Sequence, residues 1–317
     1  MAAVVLVAGL VYALRGGAAA QPTQPAQPAQ AQLSPPGPVR PGAPTAPTTA
    51  AAPAAPVWHP VWTADFGGPD GGGIDPAVWQ FDNGTGIFGT HEVETMTDST
   101  GNVHVDGRGG LDITVLHQGA WTSGRIQTRQ LFTPPPGKEM LVSASIRQPN
   151  PAHGTGYWPG FWMLGPGQWP QSGEIDILED ENGLSTHSGT LHCGNLTQSN
   201  GNGTFGPCRE GYGLGSGRLP CPGCQTGFHT YSVIIDRRNE ADQQISWYFD
   251  GRKFFSVSED TVGKKAWTRA IDHGLTIILD VAVGGSYPDI VCQCVSPNAR
   301  TSSGGTMTVR NLGVSES

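Results

Sequence analysis

Charge is scarce in this sequence: Asp, Glu, Lys and Arg make up 14% of its 317 residues, and the formal net charge is -8. Lys and Arg form no cluster, which argues against a nucleic-acid partner, because phosphate binding needs a basic patch. No long stretch carries a helical period. The apolar run Ala2 to Leu14 is too short for a comfortable membrane span. Between Gln21 and Val57 aromatic residues are absent and Arg40 is the only charge. Such a segment cannot bury enough apolar surface to offset the entropy of ordering it, and its prolines favour an extended spacer.

The chain therefore divides into three parts. Residues 1–20 combine the apolar run with Arg15 and the small residues Gly16 to Ala20, which suits an export signal. No positive charge precedes that run, so an uncleaved N-terminal anchor is the second reading. Residues 21–57 form a Pro/Ala-rich linker. Residues 58–317 form one folded domain, and the expected location is secreted or cell-surface, with a membrane or cell-wall tether through the N-terminus under the anchor reading. Six cysteines, Cys193, Cys208, Cys221, Cys224, Cys292 and Cys294, are an even number in a chain with an export-like start, so disulfides are the default. Spacing does not settle their pairing, although local closure within the Gly-rich loop that runs from Cys193 to Cys224 is preferred. The C-x-x-C and C-x-C spacings also permit zinc, but no matching His pair accompanies them. Sequons at Asn83, Asn195 and Asn202 accept glycans only in a host that glycosylates exported proteins.

What is present is strand and turn. Gly accounts for 46 residues. Alternating apolar runs at Leu111–Leu116, Met140–Ile146, Glu174–Glu179, Thr230–Ile235, Ile245–Phe249, Leu275–Val283 and Met307–Val314 predict strands. Asp250-Gly251 between two aromatic-rich runs predicts a hairpin. Many short antiparallel strands in one domain imply an all-β sandwich of two sheets.

The chemistry concentrates in Glu174-Ile175-Asp176-Ile177-Leu178-Glu179. On a strand Glu174 and Asp176 share one face, with Ile175 and Ile177 on the other. Glu179 falls on the wrong face, since its spacing from Glu174 is odd. A β-bulge near Ile177-Leu178 would return it to the first. Two glutamates would then flank an aspartate along roughly 13 Å of backbone, and inward-leaning side chains could approach the separation of about 5 to 5.5 Å of a retaining glycosidase. One carboxylate attacks the sugar and a protonated one donates to the leaving oxygen, while a third between them helps to hold that proton. Alone, the pattern also fits a solvated acidic strand face. Trp158, Trp162 and Trp169 lie just upstream, and sugar rings stack on aromatic planes. At least one of the three is expected in the core, where sandwiches place their aromatics.

Gly156 to Leu164, Gly173 to Glu179 and Gly189-Thr190-Leu191-His192 together resemble glycoside hydrolase family 16 in its bulged, laminarinase-type branch. Ser123 to Ile126, Gly227 to Tyr231, Trp247 to Gly251 and Asp280 to Gly285 follow in the family's order, so the resemblance covers about Trp58 to Val314. It implies a jelly-roll, concanavalin A-like sandwich whose concave groove binds a polysaccharide and cuts internal β-glucan bonds, with no cofactor. By position Glu174 is the nucleophile, Asp176 its supporting partner and Glu179 the acid/base. Trp158 and Trp162 line the subsites nearest cleavage, with Trp169 beyond them. Asn102 and Arg125 bind sugar hydroxyls, and His192 sits near Glu179 with Thr190 on the same face. Two positions depart from the family. Asp280 stands where Asn is usual, and Arg310 where an acidic residue is usual. The second matters for a calcium site on the convex face: Asp65 matches one carboxylate, but Arg310 would repel the ion, so no metal is expected.

The leading expectation is a monomeric, endo-acting, retaining hydrolase of β-1,3-glucan. Mixed-linkage glucan or galactan hydrolysis on the same fold remains open. So do a non-catalytic glucan-recognition protein and a structural protein displayed on the tether. The segments Asn195–Gly227 and Tyr287–Gly305 are where substrate choice is expected to reside.

Overall fold

The computed structural model describes residues 56–86 and 88–317. The export signal or anchor at 1–20, and all but the last two positions of the linker at 21–57, lie outside the described residues.

Two antiparallel sheets face each other. In the first, the strands run in spatial order Arg252–Ser258, Gln244–Phe249, His229–Asp236, Glu139–Arg147, Thr306–Glu316, Leu111–Thr114, Val103–Val105, and His59–Thr63 also pairs with Thr306–Glu316. In the second the order is Leu214–Gly215, Thr186–His192, Glu174–Glu179, Tyr157–Leu164, Thr276–Val283, Arg125–Thr128, Trp79–Phe81, with Leu219–Pro220 beside Thr186–His192. Some sequence neighbours pair in order, as from Tyr157–Leu164 to Thr186–His192 and from His229–Asp236 to Arg252–Ser258, while crossovers between the sheets put Thr276–Val283 beside Tyr157–Leu164 and Thr306–Glu316 beside Glu139–Arg147, as a jelly roll requires. The long alternating runs become strands within one or two residues of their expected ends.

Alternation fills the space between the sheets. Ile113, Val142, Ala144, Val233 and Ile245 from the first sheet join Phe161, Met163, Ile175, Leu191, Leu279 and Val281 from the second in one buried cluster. Each of these side chains other than Ala144 contributes roughly 1.5–3 kcal/mol when fully buried. Trp247 ties the layers together, since its indole Nε1 donates to the Asp176 carbonyl at 2.7 Å. Gly189 lies where any Cβ would strike that indole ring, so the residue opposite the acidic strand has to be glycine.

Asp250 and Gly251 turn the hairpin between Phe249 and Arg252, with φ of 46° and 73° as a type I′ turn demands. The disulfides are Cys193–Cys208, Cys221–Cys224 and Cys292–Cys294, all local. Three short helices among the described residues escape the periodicity reading: Glu259–Val262, Ser286–Cys292 and, the longest, Lys264–Ile271. The last spans only two turns, yet Trp267, Ala270 and Ile271 form its buried stripe, and Trp267 Nε1 donates to Gln243.

Candidate active site

The acidic strand is bulged. Toward Tyr157–Leu164, Phe161 pairs with Leu178 and Trp162 with Asp176, so Ile177 is skipped. Toward Thr186–His192, Asp176 faces Thr190 and Glu179 faces Ser188, leaving Ile177 and Leu178 opposite Gly189 alone. The extra residue restores Glu179 to the face of Glu174 and Asp176, while Ile175, Ile177 and Leu178 are all fully buried. The three acids line one cleft of about 580 Å³ on the second sheet, together with Trp158, Trp162 and Trp169.

Each acid has a distinct setting. Glu179 accepts from Trp158 Nε1 at 3.1 Å and from Thr190 Oγ1 at 3.4 Å. His192 Nε2 lies 3.7 Å from Glu174 Oε1 and 3.6 Å from Asp176 Oδ2. Burial pushes the Glu174 carboxyl up to about 7, against the opposing pull of His192. Burial, then the charges of Glu174 and Glu179, holds Asp176 well above the usual carboxylate range. Burial also raises Glu179, while His192 and the Trp158 hydrogen bond lower it. The cleft thus retains a proton among three crowded acids near neutral pH.

On the neighbouring strands, Asp280 accepts the Trp162 Nε1–H at 2.8 Å and faces Arg125 across the sheet. Burial raises Asp280 to about 6. The Arg125 guanidinium is held by Asp82 at 3.1 Å and lies 3.9 Å over the Phe88 ring and 4.6 Å over Trp162. Glu92, Glu174, Asp176, Glu179 and Asp280 therefore share the cleft wall with Arg125.

The structure gathers most of the expected residues and corrects three placements. Asn102 does not line the cleft: it is 3% exposed, its amide donates to the Thr114 carbonyl and Thr122, and its oxygen accepts from Thr97. Both amide hydrogens are spent inside the fold, and burial keeps the oxygen from a sugar. His192 stands opposite Glu174, and the group beside Glu179 is Thr190. The register is the reason: Glu174 pairs with His192 and Asp176 with Thr190, and although the bulge brings Glu179 one step closer, to Ser188, the side chain within its reach is Thr190. None of the three upstream tryptophans is core. Trp158 and Trp162 are half-buried in the cleft and Trp169 is 41% exposed at its mouth, 5.5 Å from the His192 ring, whereas Trp79, Trp247 and Trp267 fill the interior.

Glu210 went unread in the sequence. It is fully buried, and it accepts from the Cys193 amide at 2.7 Å while meeting His192 Nδ1 at 2.8 Å. Among possible metal ligands, Cys221, Cys224 and His229 bring donor atoms within 4.8 Å of one another. The disulfide between the two cysteines removes both thiolates that zinc would need. Elsewhere Arg310 places its own cation 2.6 Å from Asp106 Oδ2 and stacks over Phe228.

Comparison with known proteins places this geometry in context. Residues 93–205 match a family profile described as XgeA-like, catalytic GH16 domain. The crystal structure of an endo-1,3-β-glucanase from Streptomyces sioyaensis is 39% identical, with a TM-score of 0.76 over 84% of this chain and 99% of that one. The laminarinase catalytic domain of Thermotoga maritima is 26% identical, with a TM-score of 0.63 over 81% of this chain and 98% of that one. Among curated relatives, glucan endo-1,3-β-glucosidase A1 of Niallia circulans is 28% identical over 72% of this chain, which spans 34% of that protein's length.

Proposed function

Since the chain belongs to glycoside hydrolase family 16 and is a glycoside hydrolase, we propose that it cleaves internal β-1,3-linkages of a neutral glucan by double displacement with retention. The observation that carries this reading is the bulge, which puts Glu174, Asp176 and Glu179 on one wall of a cleft rimmed by indoles.

In the first step the Glu174 carboxylate attacks the anomeric carbon, the glycosidic C–O bond breaks, and the Glu179 carboxylic acid gives its proton to the departing oxygen. In the second, Glu179 as carboxylate takes a proton from water, whose oxygen attacks the anomeric carbon and releases Glu174. Asp176, held neutral between them, keeps the negative charges from repelling both glutamates out of their required states. Trp158 orients Glu179 through its Nε1–H in either state. Trp162, fixed by Asp280, offers an aromatic face to the apolar side of a sugar ring.

Five carboxyl groups against one guanidinium favour a neutral polysaccharide over a sulfated or uronate-bearing one. Mixed-linkage glucan and galactan are the nearest alternatives on the same cleft, and a binding protein without activity is the alternative of another class. The domain over 58–317 is proposed to act as a monomer, exported to the cell surface or beyond, a reading that its three disulfides support. The test is product analysis on laminarin, lichenan and agarose with wild type and E174Q. Oligosaccharides from laminarin are expected with wild type. E174Q should lose hydrolysis with little change in stability, and an active E174Q would refute the assignment.

A further inference from the structure

His192 sits between two sets of carboxyl groups. On the cleft side, Nε2 faces Glu174 and Asp176 at 3.7 and 3.6 Å. On the inner side, Nδ1 meets Glu210 Oε2 at 2.8 Å. Glu210 has no solvent exposure and does not line the cleft, so it touches no sugar. It is nonetheless held with care. Its second oxygen accepts from the Cys193 amide at 2.7 Å, and its own backbone exchanges two hydrogen bonds with Phe205, at 3.0 and 2.6 Å. The Cys193–Cys208 disulfide closes the loop between His192 and Glu210. Gly213, a little further on, packs so closely on Thr190 and His192 that a Cβ there would clash with both. A solvated loop needs none of this, whereas a loop whose task is to present one carboxylate to one imidazole needs all of it.

We propose that Glu210 is a positioning residue of the hydrolytic site: it fixes His192 as an imidazolium with Nε2–H directed at Glu174 and Asp176, and so sets the charge state of the nucleophile. This deepens the function proposed above and rests on it.

A neutral imidazole has one N–H, so a donor at Nδ1 toward Glu210 would leave Nε2 a bare lone pair facing Glu174, which attacks as a carboxylate. Protonation supplies the second N–H and gives both sides a donor. Burial pulls His192 down, but the Glu210 hydrogen bond and the charges of Glu174, Glu210 and Glu179 outweigh it, so the ring titrates above its ordinary value. The charged groups facing this ring are Glu174, Asp176 and Glu179 from the acidic strand and Glu210 from the disulfide loop; Arg125 and Asp280 act on the same cleft from the two strands beyond. The imidazolium is the largest opposing influence on Glu174 once burial has raised it. Glu210 also repels Glu174 directly, but from behind the ring and more weakly, so loss of the imidazolium wins.

The sign of the effect is therefore fixed. In E210Q, His192 should lose its proton at lower pH, by about one unit. Glu174 and Glu179, both favoured as anions by the imidazolium, should then titrate higher, moving both limbs of the kcat/KM profile toward alkaline pH. On the acid limb the rate should fall about tenfold, with the gap to wild type narrowing as pH rises and KM little changed. E210D, which keeps the charge, should lie between the two.

The deciding measurement is an NMR titration of the His192 ring, assigned by its loss in H192N and requiring no substrate. Wild-type His192 titrating at or below the ordinary imidazole value overturns the proposal, even if E210Q does not fold. An unchanged His192 titration in E210Q overturns it as well, as does a rate loss equal at every pH. Absence of hydrolysis on the three polysaccharides would sink the proposed function instead, and the titration would still decide the state of His192.

Discussion

Asp280 accepts the Trp162 Nε1–H at 2.8 Å while facing Arg125 across the sheet, so one carboxyl group both anchors an aromatic platform and adds charge to the cleft. A Cβ at position 160 would sit 2.8 Å from its Oδ1 and 3.1 Å from the Trp162 ring, which is why Gly160 lies beneath the pair. The two roles separate by substitution. D280N keeps an oxygen for the indole and removes the charge, so stability should change little while Asp176, relieved of one repelling neighbour, titrates lower. D280L leaves the indole N–H buried and unpaired, and should cost about 1–3 kcal/mol in urea unfolding. Equal stability of the two variants would mean that the hydrogen bond does not hold Trp162.

At the scale of the element, the bulged strand is held from behind. Trp247 donates to the carbonyl of Asp176, the residue next to the bulge, from the opposite sheet. W247F should therefore lose more stability than the removed atoms suggest, about 2–4 kcal/mol from the small cavity and the orphaned carbonyl together. Its rate should fall as well, because Glu179 depends on the bulge for its direction. An active W247F with unaltered unfolding would remove the indole from the account of the bulge.

This strand was legible in the sequence because its polar residues break the two-residue period once, at an odd interval, and only a bulge reconciles that interval with three acids on one face. The Asp-Gly hairpin was legible for a similar local reason. Other features were not. Lys264–Ile271 is too short for a period to emerge from its neighbours. Asn102 and Arg125 look alike as polar residues on strand edges, and only the fold shows that one spends its hydrogen bonds internally while the other faces the cleft. Glu210 lies in a loop without alternation, and its partner is chosen by chain path rather than by spacing.

Across the whole molecule, buried carboxyl groups make stability depend on pH. Glu94 is 1% exposed and accepts the Val283 amide at 2.9 Å, with burial raising its pKa from 4.5 to about 8. A raised acid binds its proton more tightly in the folded state, so its contribution is complete below about pH 4.5 and declines as pH rises toward about 8. Urea unfolding across that range should show stability falling with pH, and E94Q, which keeps an acceptor for Val283 and cannot ionise, should flatten the decline. A parallel decline in E94Q would assign it to other groups. The same economy of charge appears in the cleft, where Arg125 stands among five acids and the single imidazole of His192 is shared by four carboxyl groups.

The central claim, that Glu174 attacks and Glu179 protonates across one groove, is tested most directly by the anomer first released. Proton NMR during wild-type cleavage of laminarin should show the β-anomer of the new reducing end appearing before mutarotation brings in the α form. An α-anomer appearing first would mean that water, not Glu174, makes the attack.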